Sequence, residues 1–171
     1  MHRLLPIVLL LTLASCNPDV QFSEPMPPAR FNLPNIPGAY RGVIEVDDER
    51  WEVGKDTIRH GDEVFVNGED FLLRRMAGHL MFNQPIPSTG LWEVRVIRKE
   101  GAKRFVGAFD GNEAFLTRAQ TLMEGRVVPR RSEGSPGYRY HEISPTAKEF
   151  RVMLKEGWYT TEDEPLRILG N

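Results

Sequence analysis

From Ala39 to Thr121 apolar and polar residues alternate with a period of two, broken by turn signals roughly every 8 to 15 residues. Tyr40, Gly42, Ile44 and Val46 alternate with Arg41, Val43 and Glu45; Trp51 and Val53 alternate with Arg50 and Glu52. Trp92, Val94 and Val96 share one strand face opposite Glu93 and Arg95, and Phe105, Gly107 and Phe109 share another. Asn67-Gly68, set between Val64-Phe65-Val66 and Phe71-Leu72-Leu73, predicts a hairpin whose two turn residues take positive φ. Further turns are read at Asp47-Asp48, Gly61-Asp62, Ala77-Gly78, Glu100-Gly101 and Asp110-Gly111, and Ala114 to Ala119 reads as one more strand. The expectation is a mainly β domain: an antiparallel meander of about eight or nine strands, closed into a barrel or folded into a sandwich to remove its edges. Trp51, Trp92, Phe65, Phe71, Phe82, Phe105, Phe109 and Phe115 are its candidate core, each contributing roughly 1.5 to 3 kcal/mol on full burial.

Glu124 to Ile143 interrupts the pattern with Gly125, Pro129, Gly134, Pro136 and Gly137, and predicts an irregular loop. After it Ser144-Pro145 reads as an N-cap and first helical position. Ala147, Phe150, Met153 and Leu154 then place an apolar stripe on one amphipathic C-terminal helix, about 145–156, stopped by Gly157. The chain has 171 residues, 40% of them hydrophobic, which suits one globular domain. Lys and Arg number 22 against 24 Asp and Glu, a net charge of −2, so no basic excess points to nucleic acid. One cysteine excludes an intramolecular disulfide and a Cys-based zinc cluster.

The N-terminal segment carries the most specific motif. Met1-His2-Arg3 is a positive start, and Leu4 to Leu13 is apolar apart from Pro6 and Thr12. That run is shorter than the about 20 residues a membrane span requires, but has the length of a secretion signal. It leads into Leu13-Ala14-Ser15-Cys16, which resembles the lipobox of bacterial lipoproteins. The resemblance implies a signal peptide over 1–15, diacylglycerol on the Cys16 sulfur and an acylated amino group at the new N-terminus. Membrane attachment then runs through lipid on Cys16, stable when two or more acyl chains are present. Asn17, by resemblance to the enterobacterial sorting pattern, implies the outer membrane and its periplasmic face; a Gram-positive source would place the anchor on the outer face of the cytoplasmic membrane. Residues 16–37 hold six prolines and read as an extended tether, reaching roughly 65 Å at ~3.1 Å per residue, the alternative being that the apolar residues of Phe31-Asn32-Leu33-Pro34-Asn35-Ile36 lay this part along the domain surface. The domain is then 38–171. Its order of meander, loop and helix is similar to the lipocalin or calycin layout, with Gly38-Ala39-Tyr40 standing where that superfamily has Gly-x-Trp.

Chemistry is sparse in the sequence. His60-Gly61-Asp62-Glu63 lies on a turn and reads as solvated, not metal-binding; His79 begins a strand and His141-Glu142 lies in the loop. There is no His-Glu-x-x-His helix, Gly-x-Ser-x-Gly elbow or phosphate loop. No catalytic residue, metal or cofactor is therefore assigned. Arg74-Arg75, Arg95, Arg98-Lys99 and Lys103-Arg104 on neighbouring strands read as a salt-bridged face, the alternative being a basic patch. The loop residues Arg126, Arg130, Arg131, Tyr138, Arg139 and Tyr140 combine arginine and tyrosine as recognition surfaces do, and form the candidate partner-binding loop. The expected function is that of a membrane-anchored envelope lipoprotein with a non-enzymatic β-domain binding an envelope protein or polymer. A lipocalin-like carrier of a small apolar ligand is the alternative, and a small hydrolase comes third.

Overall fold

The computed structural model describes residues 20–46, 49–131, 139–161 and 165–170. The protein is mainly β, in two sheets that do not close into a ring. The larger sheet runs in the order β10 (Val127–Arg131), β11 (Arg139–Ile143), β1 (Val20–Phe22), β8 (Leu91–Glu100), β7 (His79–Ile86) and β6 (Leu72–Met76). β9 (Lys103–Ala108) takes over from β1 along the same edge of β8, and β12 (Thr160–Thr161) pairs with β9. The smaller sheet runs β13 (Arg167–Gly170), β2 (Gly42–Val46), β3 (Glu49–Val53), β4 (Thr57–His60) and β5 (Glu63–Val66). Among the described residues thirteen strands replace the eight or nine expected, because several pieces are only two to four residues long. The irregular loop expected over 124–143 contains the hairpin arms β10 and β11 instead.

The tether reading is overturned from Val20 onward. β1 is fully buried, parallel to β11 and antiparallel to β8, so it joins the two halves of the larger sheet. Its followers strap across the domain despite their prolines, because side chains donate to their carbonyls and backbone carbonyls of the domain accept from their N–H groups. The Arg74 guanidinium binds the carbonyls of Pro25 and Pro27 and the Asn32 side chain. Leu33 N–H donates to Leu73 at 2.8 Å and Ile36 N–H to Lys55 at 2.7 Å, while Met26 and Ile36 are buried. Gly38–Tyr40 is a short 3-10 turn rather than a first barrel strand, so the calycin-like layout does not describe these strands.

The Asn67-Gly68 signal also resolves differently. β5 belongs to the smaller sheet and β6 to the larger, so these residues turn a corner between sheets and no hairpin forms. Only Gly68 has positive φ, at 100°. The Asn67 side chain fixes the corner, accepting from Leu73 N–H at 3.0 Å and donating to the Leu33 carbonyl at 2.7 Å.

Two apolar cores flank the larger sheet. Leu73, Leu80, Phe82 and Val106 face the smaller sheet's Ile44, Trp51, Val53, Ile58 and Phe65. On the opposite face Phe22, Met81, Val94 and Val96 pack against two helices, α1 (Glu113–Met123) and α2 (Ala147–Lys155). Of the eight expected core aromatics, Trp92 and Phe105 are only half-buried and the other six are buried. α1 replaces the strand read over Ala114 to Ala119. Phe115, Ala119 and Met123 recur every four residues on its buried face, and Asn112 caps it by accepting from Phe115 N–H at 2.9 Å.

α2 begins later than Ser144-Pro145 would place it. Thr146 is its N-cap, in a reciprocal capping box with Glu149. Glu149 also receives both terminal nitrogens of Arg126, at 2.6 and 2.9 Å. That hydrogen bonding, foremost from Arg126 and then from Thr146, holds its carboxyl down at about 2 against an ordinary 4.5. A depressed carboxylate pKa gives stability that is complete above the unfolded value and lost as pH falls through the folded one. Glu149→Gln should therefore cost stability at pH 7 and progressively less between pH 4.5 and 2. Urea unfolding of both proteins at stepped pH checks this; a pH-independent difference would contradict it.

Candidate functional site

The expected partner-binding residues do not converge into one loop. Arg126 is committed to Glu149 and to the Ser144 carbonyl, linking β10 to α2. Arg130 pairs with Glu142 at 2.8 Å, and Tyr140 is buried. Arg131 and Arg139 face each other across the β10–β11 pair and remain exposed. Tyr138 and Cys16 lie outside the described residues.

The basic strand residues are likewise divided. Arg74, Arg95 and Arg104 are buried: Arg74 holds the strap, Arg95 pairs with Glu93, and Arg104 stacks 5.1 Å from the Tyr40 ring centre. Arg98 pairs with Glu100 at 2.8 Å, leaving Arg75, Lys99 and Lys103 as the exposed basic residues of this group.

A surface depression of about 200 Å³ opens where the segment after α2 passes the start of α1. Alternation could not reveal it, since it is assembled from a helix terminus, a post-helix turn and a strand edge. Gly157, at φ 64°, ends α2 and directs Trp158 and Tyr159 inward. The Trp158 ring meets Phe115 edge-on at 6.1 Å and carries the Arg118 guanidinium at 4.2 Å. Glu156 ties both together, accepting from Trp158 Nε1 at 2.9 Å and Arg118 Nη2 at 2.7 Å. These two donors, Trp158 first, hold the Glu156 carboxyl below its ordinary range.

Tyr159 is the other fixed element. Its hydroxyl lies 2.8 Å from His79 Nε2, while His79 Nδ1 lies 3.0 Å from the Ala77 carbonyl. A carbonyl only accepts, so Nδ1 carries the hydrogen and Nε2 accepts from the tyrosine. Burial raises the phenol above its ordinary pKa, opposed by the nearby Arg98 charge. Tyr159 therefore stays a neutral donor, and the pair orients the ring.

Gly107 makes this geometry available. A Cβ there would lie 2.7 Å from both the Tyr159 ring and the Thr160 carbonyl. Gly107→Ala is expected to cost about 1 to 3 kcal/mol through overpacking and to separate Tyr159 from His79. Thermal unfolding and the NMR signal of the His79 ring report the two effects; an unchanged ring environment would contradict the second.

His60 is held by packing. His60 stacks on Trp51 with ring centres 3.9 Å apart and pairs with Glu49 at 3.2 Å, so it is a packed residue and not the solvated turn expected. Among the described residues no group of three His, Cys, Asp or Glu gathers as a metal site. The apolar cavity between the sheets, lined by Ile36, Tyr40, Leu80 and Ile168 among others, measures about 70 Å³. Ligand pockets are ordinarily about 300 to 1,000 Å³. No family model, curated protein or solved structure matches the chain.

Proposed function

We propose that this chain is an envelope lipoprotein, held by diacylglycerol on Cys16, whose β-domain is a non-enzymatic binding module for a protein or polymer of the envelope. The motif Leu13-Ala14-Ser15-Cys16, four residues before the β-strand Val20–Phe22, is the observation that carries the anchor. Asn17 favours the outer membrane by the sorting resemblance already drawn. The open groove beside Trp158, Tyr159 and Arg118 favours binding, because it offers aromatic surface with fixed polar groups. The small cavity between the sheets gives the apolar-carrier reading no comparable support.

Mass spectrometry of the native protein tests the anchor: a mature chain beginning at Cys16 with acyl chains attached is the expected result, and an unmodified thiol would refute it. Crosslinking in intact cells, comparing wild type with Trp158→Ala, tests the module. Adducts lost in the variant support the groove; adducts that persist undiminished place binding elsewhere.

A further inference from the structure

The direction of β1 fixes which end of the domain faces the lipid, given the Cys16 anchor just proposed. β11 runs parallel to β1, so Arg139 and its partner Arg131 lie on the side from which the chain arrives from Cys16. β8 runs antiparallel to β1, so its far end and the β8–β9 turn point the same way. The turn between β6 and β7 shares that end, while the β7–β8 turn around Ser88 lies at the opposite one.

Reach then decides contact. Cys16 stands four residues before Val20, a span of at most ~14 Å of extended chain. Continuing the Phe22–Trp92 register places Val20 level with Val94, and β8 extends to Glu100, roughly 20 Å further toward the anchor. The hairpin tip therefore projects at least as far as the anchored sulfur can. A sulfur bearing diacylglycerol sits at headgroup level, so the tip is pressed against the headgroups.

The residues carried there suit that position. Lys99 and Lys103 flank the tip and Arg131 and Arg139 stand on the neighbouring hairpin, all four exposed. Glu100, at the tip, is paired with Arg98. The opposite turn, Pro87 to Gly90, has no charge. We propose that the anchored end of the larger sheet, through Lys99, Lys103, Arg131 and Arg139, docks onto anionic phospholipid headgroups and so holds the domain upright with its Ser88 end outward. Cations near an anionic surface are attracted over about a Debye length, which makes the docking sensitive to salt.

The acylated full-length protein, reconstituted in vesicles, provides the test. Acylation blocks the sole native sulfur, so Ala102→Cys and Ser88→Cys each offer a single free thiol for a fluorescent dye. Nitroxide on the lipid headgroups should quench the dye at 102 and spare the dye at 88 in vesicles of phosphatidylcholine with phosphatidylglycerol. The contrast should be lost in high salt, in phosphatidylcholine alone, and in K99Q/K103Q/R131Q/R139Q. Equal quenching at both ends, or a contrast that survives all three changes, overturns the docking. Dye uptake by the wild-type chain would instead reveal an unacylated Cys16, overturning the anchor and the docking that depends on it. Circular dichroism of each variant confirms that the fold is retained.

Discussion

A chain that begins at Gly38 is expected not to fold. It lacks β1, which pairs with β11 on one side and β8 on the other, so the larger sheet would be cut in two. It also lacks Phe22, 1% exposed, whose ring meets Phe109 at 5.2 Å and Phe150 at 5.9 Å. Truncating one such buried phenylalanine to alanine costs about 3 to 5 kcal/mol, a large part of the about 5 to 15 kcal/mol that stabilises an ordinary domain. Val20, Met26 and Ile36 leave with it, and Arg74 is left buried without the carbonyls of Pro25 and Pro27. Far-ultraviolet circular dichroism and protease resistance should show an unfolded chain. A cooperative thermal transition in this truncated protein would prove residues 20–37 dispensable.

Arg95→Met is the second change with a large expected effect. Arg95 and Glu93 lie two residues apart on β8, on the face toward the smaller sheet, and pair there with Arg95 only 4% exposed. Removing one member of a buried pair costs about 3 to 5 kcal/mol, because the remaining charge stays desolvated. Burial already raises the Glu93 carboxyl above its ordinary range, with Arg95 pulling it back. Without Arg95 it rises further. A folded pKa above the unfolded one gives stability that is present at low pH and lost as pH rises through the folded value. The variant should therefore be closest to wild type in acid and fall furthest behind at alkaline pH. Glu93→Leu combined with Arg95→Met should recover most of the loss, since a well-packed apolar pair is often neutral or stabilising. A single variant that melts with wild type at pH 8 would show the pair to be dispensable.

Local pattern was a sound guide to strands and a poor one to their surroundings. Turns at Gly61-Asp62, Ala77-Gly78 and Glu100-Gly101 join the hairpin pairs β4–β5, β6–β7 and β8–β9, because each reversal is dictated by residues within it. Arg95 was read as solvated because it alternates with Val94 and Val96. That logic holds for a sheet with one wet face, whereas this sheet carries an apolar core on both sides. Asn67-Gly68 encodes a reversal, but nothing local states that the next strand joins another sheet. α1 was missed because Ala114 to Ala119 was read with the period of two of the strands before it, while the helical recurrence of Phe115, Ala119 and Met123 carried the true period. The groove was least legible of all: Trp158, Tyr159 and His79 meet only through tertiary packing, and Gly107 shows its purpose only once Tyr159 lies against it.

The placement of β1 also sets the order in which the molecule can be completed. Its two neighbours are made much later, and the Ser23–Ser144 hydrogen bond just beyond it spans 121 residues. Such a high contact order makes for a slow final closure. Until Ile143 has emerged, a nascent chain holds an apolar strand with an open side, so premature termination anywhere upstream should yield aggregating fragments and no partial domain.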